Sequence, residues 1–296
     1  MLEKSYNFNK DYVQERTFVN NSNKEYILMS DGEEIFCYYS LDYENRGDLV
    51  FFFVQGFASG IFPWSDFWDS LQKEFNLIVL DPRDKPTNKL TKKSKCTTPR
   101  IAMDIAETLH HLRIDEKKVV FFGSSIGVSY IAHCVSKKMV DPLLCFFTGP
   151  SIIPRSPRLI VKIILPLPPA LLKIVGTIVA RIYLKNRVSD GFQKQIFYER
   201  IKNVDVRRWK ICKKLQDWNS TEDFSNTDCQ VYIIRTKGDK YHKMEEINKT
   251  KELIKNSKII DVPSYDFIHM KPGVEEFTQM LKKIIEEEIL PTNINF

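Results

Sequence analysis

The chain has 296 residues, of which 43% are hydrophobic and 28% are charged, and its formal net charge is +6. This length can bury a full core and favours one domain with an insertion over two independent domains. The composition is ordinary for a soluble globular protein. The segment Met1–Asp11 is polar and charged without an apolar run, so we predict no secretory signal.

The basic residues and cysteines indicate neither a nucleic-acid site nor a metal site. Lys92, Lys93 and Lys95 form a short basic run, which we interpret as a solvated loop because no nucleic-acid recognition motif accompanies it. The six cysteines are scattered and form no close pairs, at positions 37, 96, 134, 145, 212 and 229. This spacing predicts reduced, buried thiols in an intracellular, cytoplasmic protein rather than a disulfide framework.

The first part of the chain alternates between strand-like and helix-like patterns. Tyr26–Met29 and Glu34–Ser40 flank an Asp-Gly turn and predict an N-terminal hairpin. Leu49–Val54 is a continuous apolar run, which is typical of a strand buried on both faces. The patterns that follow predict a helix over Ile61–Phe75, a strand over Leu77–Leu80, and a helix that Thr98 caps and Pro99 begins.

A Gly-x-Ser-x-Gly motif occupies Gly123–Gly127. The β-type run Val119–Phe122 precedes it, and the helix-compatible run Val128–Lys138 follows it. At such a junction the motif is a nucleophile elbow, in which small residues allow a sharp turn that lifts the Ser125 hydroxyl above the sheet. The alternative is an ordinary Gly/Ser turn between a core strand and a helix.

The alternation continues with a strand over Leu143–Phe147 and then stops. Residues 151–226 predict several short helices that five prolines interrupt. Regular elements resume as a strand over Gln230–Arg235, a helix over Met244–Lys255, a strand over Lys258–Val262 and a helix over Val274–Glu288. The order predicts an α/β fold, with a mostly parallel central sheet of about eight strands and helices on both faces. We expect the core to comprise residues 1–150 and 227–296, with a helical cap over 151–226 inserted between strands six and seven.

From Tyr26 to Ile289, this order of motifs resembles the α/β-hydrolase superfamily, in particular its esterase-like and lipase-like serine hydrolases with a lid. Members of that family place a catalytic Ser, an acid and a His in this order along the chain. The resemblance implies that Ser125 is the nucleophile, and that Asp239, in the loop after the seventh strand, is the acid. It implies that His269 is the base, since it is the only histidine beyond the eighth strand.

The resemblance also implies an oxyanion hole, which would be formed by the backbone N–H groups of Phe57 and Ile126. The chain departs from the family at two loops. Gln55 replaces the usual His before Gly56. The segment Asp81–Asn88 keeps Asp and Arg but lacks both of the family's glycines, which we interpret as divergence in a mainly structural loop.

These residues predict a serine hydrolase that cleaves a carboxylic ester or thioester of an apolar, lipid-like acyl group through an acyl-enzyme. The resemblance implies that the reaction uses neither a metal nor an organic cofactor. The alternative is a non-catalytic protein of the same fold that binds a ligand, a membrane surface or a partner. The divergent Asp81–Asn88 loop and the absence of the common Gly-His pair at His269 motivate this alternative.

The predicted cap is basic and apolar. Residues 142–189 contain no Asp or Glu, but they contain seven basic residues, at 155, 158, 162, 173, 181, 185 and 187. The prolines and the charges argue against a transmembrane helix over Leu159–Leu184. Two interpretations remain: a lid whose apolar face covers the active site, or a surface that rests on an anionic membrane. Both favour a hydrophobic substrate.

Overall fold

The computed structural model describes residues 15–153 except 58 and 92, residues 217–237 and 244–289, and isolated positions between 168 and 215. Its described part contains one sheet of eight strands. The strands are β1 Asn23–Leu28, β2 Glu34–Ser40, β3 Val50–Val54, β4 Asn76–Leu80, β5 Val119–Ser124, β6 Leu144–Thr148, β7 Gln230–Thr236 and β8 Ser257–Val262.

The strands lie in the order β1-β2-β4-β3-β5-β6-β7-β8. β2 is antiparallel to both β1 and β4, and every other neighbouring pair is parallel. Parallel neighbours need crossover connections, which the intervening helices provide. The mostly parallel eight-stranded sheet that the alternating pattern predicts is therefore confirmed.

Helices connect the strands at both faces of the sheet. The α-helices of the described residues are α1 Thr17–Asn21, α2 Tyr43–Arg46, α3 Ser65–Leu71, α4 Thr98–His111, α5 Ile126–Ser136, α6 Thr221–Ser225, α7 Met244–Leu253 and α8 Gly273–Ile289. Two 3₁₀ turns, Glu116–Lys118 and Asp266–Ile268, precede β5 and follow β8.

The central strands are apolar throughout because they are covered on both faces. All five residues of β3 are buried, and their side chains alternate between two clusters. Val50, Phe52 and Val54 belong to the cluster that packs against α4 and α5, while Phe51 and Phe53 belong to the cluster that packs against α3 and α8. The continuous apolar run read from the sequence thus marks a strand at the centre of the molecule.

The structure corrects the bounds of several predicted helices, of which α4 and α3 are examples. Thr97, one residue earlier than expected, caps α4, and its side chain accepts a hydrogen bond from the Arg100 amide. The helix expected over Ile61–Phe75 is shorter at both ends, at Ser65–Leu71. At its start, the carbonyl of Ile61 accepts from the amides of Trp64 and Ser65, so these residues form a tight turn before the helix proper.

The cysteine prediction is wrong for one pair. Cys96 and Cys212 form a disulfide, with their Cα atoms 5.1 Å apart and a sequence separation of 116. Cys37, Cys134 and Cys145 are buried free thiols, as expected. The bond joins the segment before α4 to a residue within the predicted cap.

The cap itself lies mostly outside the described residues, so its helices and its 151–226 boundaries stay predictions. No helix among the described residues is long and apolar enough to cross a membrane.

Candidate active site

Ser125 lies in the turn between β5 and α5, with φ 54° and ψ −122°. This region of backbone space is sparsely populated by residues that carry a side chain, and such strain clusters at functional sites. The two flanking glycines are required by close packing. A Cβ atom on Gly127 would overlap the carbonyl oxygen of Val54, and one on Gly123 would lie 3.0 Å from the Cα atom of Val128. The sharp elbow predicted from Gly-x-Ser-x-Gly is therefore present.

Backbone hydrogen bonds hold the elbow in place. The amide of Ser125 donates to the carbonyl of Thr148 at the end of β6, over 2.9 Å. Its carbonyl accepts from the amide of Val128 at 3.1 Å. Ile126 is the first residue of α5, so its N–H cannot bond to a carbonyl within that helix. This N–H, directly after Ser125, is the group that the sequence predicts as the first oxyanion donor.

The loop after β3 carries the second predicted donor. Its Gly56 packs directly on the elbow, since a Cβ atom there would lie 3.0 Å from Ser124 O and 3.1 Å from Ser125 Cβ. Only a residue without a side chain allows this approach without displacing the elbow. Phe57, the next residue, is half-buried. The backbone of this loop is therefore adjacent to the candidate nucleophile.

A buried polar group supports the base of the same loop. The Gln55 amide nitrogen donates to Asp81 Oδ1 at 2.5 Å, and the Thr87 hydroxyl donates to Asp81 Oδ2 at 2.6 Å. Burial, only partly opposed by the hydrogen bond from Thr87 and the charge of Lys85, raises the pKa of Asp81 to about 6. Gln55, which stands where the family has His, is thus a fixed structural side chain.

His269 lies after β8, and its side chain is 1% exposed. Its Nδ1 atom is 2.6 Å from the carbonyl oxygen of Pro63. A carbonyl can only accept, so Nδ1 carries the proton and donates it, and neutral His269 has its lone pair on Nε2. The ring contacts Trp64 and Tyr265, with centroid distances of 4.2 and 4.3 Å. These contacts fix both the tautomer and the plane of the imidazole.

The chain around His269 is shaped by short local contacts. The amide of His269 donates to the carbonyl of Asp266 at 3.0 Å, which closes the 3₁₀ turn Asp266–Ile268. Gly273 starts α8 against this turn, where a Cβ atom would lie 2.7 Å from Phe267 Cα. The turn and the start of α8 hold His269 at the carboxyl edge of the sheet, the edge from which Ser125 also projects.

The loop Gln55–Trp64 links the two candidates. Gly56, near its beginning, contacts the Ser125 elbow, and Pro63 and Trp64, at its end, contact His269. Asp239, the predicted acid, lies outside the described residues. The roles of these three residues as a triad, and of Phe57 and Ile126 as oxyanion donors, stay predictions.

Outside the predicted triad, His111 and His133 have partners elsewhere, and His242 lies outside the described residues. His111 pairs with Glu25 at 2.7 Å on the surface, and buried His133 bonds to Asp223 at 2.9 Å through Nδ1. His110 and His111 line a surface cavity of about 560 Å³ between β1 and α4, which includes none of the predicted site residues.

The Pro63 carbonyl could not be predicted from the sequence. A backbone acceptor has no residue-type signature, so only the fold could reveal it. The Asp81–Asn88 loop is also more than a structural loop, because Lys85, at a variable position of the family motif, reaches the loop after β3. A lysine in a segment that should be buried was the available signal.

Comparisons with solved structures give the same architecture. An esterase from Rhodococcus sp. ECU1013 is 14% identical, with a TM-score of 0.69, over 89% of this chain and 98% of that chain. An esterase from Exiguobacterium antarcticum is 13% identical, with a TM-score of 0.71, over 89% of this chain and 100% of that chain. A bacterial membrane phospholipase A is 12% identical, with a TM-score of 0.69, over 92% of this chain and 88% of that chain. No family model and no curated protein matches the chain by sequence.

Proposed function

The chain has the α/β-hydrolase fold, and within it we propose a serine hydrolase that cleaves carboxylic esters or thioesters of apolar acyl groups. The single observation that carries this proposal is the strained Ser125 elbow, which packs against Gly56 and is followed by Ile126, the first residue of α5. Close contacts require the two flanking glycines, and the serine between them has a strained backbone. Such strain is expected at a nucleophile, whereas a simple turn does not need it.

The proposed reaction has two stages. Ser125 Oγ attacks the acyl carbon while His269 Nε2 takes its proton, and the N–H groups of Ile126 and Phe57 stabilise the oxyanion. The bond from the acyl carbon to the leaving oxygen or sulfur then breaks, and His269 gives the proton to the leaving group. Water next attacks the acyl-enzyme by the same proton route, which frees Ser125 and the carboxylic acid. Asp239 is proposed to stabilise the imidazolium that forms in each stage.

An apolar substrate is supported by the cap sequence and by the neighbours. The described cap residues Leu171, Ile174 and Ile178 are apolar and exposed, and residues 142–189 lack carboxylates. Of the three solved structures compared above, two are esterases and one is a membrane phospholipase A. An ester with a medium or long acyl chain is thus the first substrate class to assay.

Fluorophosphonate labelling tests the proposal. A fluorophosphonate forms a covalent bond with an activated serine, so wild-type protein should label at Ser125, as located by peptide mass spectrometry, and the Ser125→Ala variant should not. Ser124→Ala is a matched control, since Ser124 ends β5 next to the nucleophile and should leave labelling intact. A folded wild type that does not label would favour the non-catalytic alternative.

We also propose peripheral association of the cap with anionic membranes. Leu171, Ile174 and Ile178 are 43%, 59% and 52% exposed, and their spacing of three and four residues is that of one helix face. The seven basic residues of 142–189 would complement anionic lipid headgroups.

Sedimentation with phosphatidylglycerol vesicles tests the membrane proposal. We expect binding at low salt that weakens at high salt and in the triple variant Leu171→Ser, Ile174→Ser, Ile178→Ser. Leu28→Ser is the control, because Leu28 is 71% exposed but belongs to β1. Binding that is insensitive to both salt and the triple variant would refute this association.

A further inference from the structure

Lys85 is a buried cation beside the candidate site. Lys85 is 2% exposed and lies in the loop that follows β4. Its Nζ atom donates to Asp84 Oδ2 at 2.8 Å and to the carbonyl oxygen of Gly56 at 2.6 Å. Lysine is almost never fully buried unless it is paired, because the desolvation of its charge is costly. The contact with Gly56 is therefore a specific feature that the surrounding fold maintains.

The Gly56 carbonyl and the Phe57 N–H belong to one peptide group. This peptide is trans, so its carbonyl and its N–H point in opposite directions. β3 lies between β4 and β5 in the sheet. Since the carbonyl is held toward Lys85 in the loop after β4, we expect the N–H of Phe57 to face the loop after β5, which carries Ser125.

We propose that Lys85 is a positioning residue that orients the Phe57 N–H as an oxyanion donor and increases its polarity. This inference rests on the proposed serine hydrolase function. A charged donor on the carbonyl polarises the whole peptide, which strengthens the N–H as a donor. Lys85 thus acts through Gly56 and Phe57, without contact with the reacting atoms.

Local hydrogen bonds fix the backbone of the Asp81–Asn88 loop around Lys85, although the loop lacks the glycines of the family. The amide of Lys85 donates to the carbonyl of Pro82 at 2.8 Å, which forms a tight turn. The Asn88 side chain donates to the carbonyls of Asp81 and Pro82 at 2.9 and 2.8 Å. The departure from the family pattern therefore accommodates a lysine at this position rather than simply loosening the loop.

A second contact provides the competing explanation. The Gly56 carbonyl also accepts from the amide of Ser59 at 3.2 Å, within a turn of the same loop. If this turn alone fixed the peptide, the removal of the Lys85 ammonium would leave the Phe57 N–H unchanged. The experiment must therefore observe the peptide itself as well as the reaction.

Labelling with [¹³C′]glycine and [¹⁵N]phenylalanine isolates this peptide by NMR. The sequence contains Gly-Phe only at 56–57 and 191–192, so a carbonyl-to-amide correlation spectrum has two peaks. In Lys85→Met, we expect the Phe57 peak to move in both the ¹³C′ and ¹⁵N dimensions, while the Phe192 peak stays in place as an internal control. Lys89→Met is the matched variant, since Lys89 belongs to the same loop region but its side chain is 62% exposed.

Kinetics provide the functional readout. For a nitrophenyl ester, we expect Lys85→Met to lower kcat by about 10- to 100-fold with KM nearly unchanged, because an oxyanion donor acts mainly in the transition state. Affinity for a trifluoromethyl ketone, which forms a tetrahedral oxyanion on serine, should fall by the same factor as kcat/KM. If Lys85→Met only unfolded part of the protein, the fraction of active enzyme would fall, but the folded enzyme would keep the wild-type affinity for the trifluoromethyl ketone.

The double variant Asp84→Asn, Lys85→Met covers the case in which the single variant does not fold, because it leaves no buried unpaired carboxylate. A Phe57 peak that stays in place in a folded variant overturns the role of Lys85, whether or not the protein is active. Absent labelling of wild type by a fluorophosphonate overturns the hydrolase proposal instead, and the NMR result still decides whether Lys85 orients the peptide.

Discussion

The Nδ1 atom of His269 lies 2.6 Å from the carbonyl oxygen of Pro63, 206 residues earlier in the chain. In a Ser-His-Asp triad, the carboxylate holds the imidazole in the tautomer that can accept the serine proton, and its replacement by an amide lowers kcat by about 10⁴-fold. Here a backbone carbonyl already selects that tautomer. In the proposed triad, this leaves the stabilisation of the imidazolium as the predicted role of the Asp239 carboxylate.

We therefore expect Asp239→Asn to lower kcat for a nitrophenyl ester by clearly less than about 10⁴-fold, the loss that follows when tautomer control fails. His269→Gln should abolish measurable turnover, because no base remains to take the Ser125 proton. Burst kinetics of both variants would give kcat on titrated active sites. An Asp239→Asn defect as large as that of His269→Gln would contradict this role of Pro63.

Ser125 has a backbone conformation that glycine adopts more readily than alanine, with φ 54° and ψ −122°. Both Ser125→Gly and Ser125→Ala remove the hydroxyl, so they differ chiefly in backbone strain. We expect the glycine variant to have the higher free energy of unfolding, by about 1 to 2 kcal/mol. Chemical denaturation of the two variants measures this difference directly.

Ser129, inside α5, is the matched position for this comparison. It is buried in regular helix, where alanine is favoured over glycine by about 1 kcal/mol. Ser129→Gly should therefore be less stable than Ser129→Ala, the reverse of the order at Ser125. If the alanine variant is the more stable one at both positions, the elbow is not strained.

Burial raises the pKa of Asp81 to about 6, above the value of about 4 for an exposed aspartate. The folded state thus binds this proton more tightly than the unfolded state, and the ionised side chain destabilises the fold at neutral pH. Below pH about 4 the carboxyl is protonated in both states and the penalty disappears. As pH rises through about 6, the stability contribution of Asp81 falls by about 3 kcal/mol.

Asp81→Asn removes this ionisation but keeps an acceptor for Gln55 and a partner for Thr87. We expect the free energy of unfolding of the variant, relative to wild type, to increase between pH 4 and pH 7. Urea titrations of both proteins across this range, at constant ionic strength, measure the difference. A difference that does not change with pH would show that Asp81 titrates normally in the folded protein.

The sheet could be predicted from sequence because its central strands, such as β3 and β5, are unbroken apolar runs between turn signals. The sharp turn at Ser125 could be predicted because close contacts exclude side chains at its two flanking glycines, which leaves a Gly-x-Ser-x-Gly pattern in the sequence. The site's supports could not be predicted in this way. Pro63 contributes only a backbone carbonyl to His269, and Lys85 reaches Gly56 across 29 residues. Both contacts depend on which loops the order of the strands in the sheet brings together.

The disulfide could not be predicted from sequence for the same reason, since its two cysteines are neighbours only in the folded chain. Cys96 and Cys212 close a loop of 116 residues, so cross-linking removes a large chain entropy from the unfolded state. We expect Cys96→Ser, Cys212→Ser to lower the free energy of unfolding by about 4 kcal/mol. Dithiothreitol should lower the guanidinium midpoint of wild type and leave that of the double variant in place.

Thiol titration of protein denatured without reductant should find four free thiols among the six cysteines. Six titrated thiols in protein purified without reductant would contradict the bond and return the pair to the reduced state that the sequence spacing indicates.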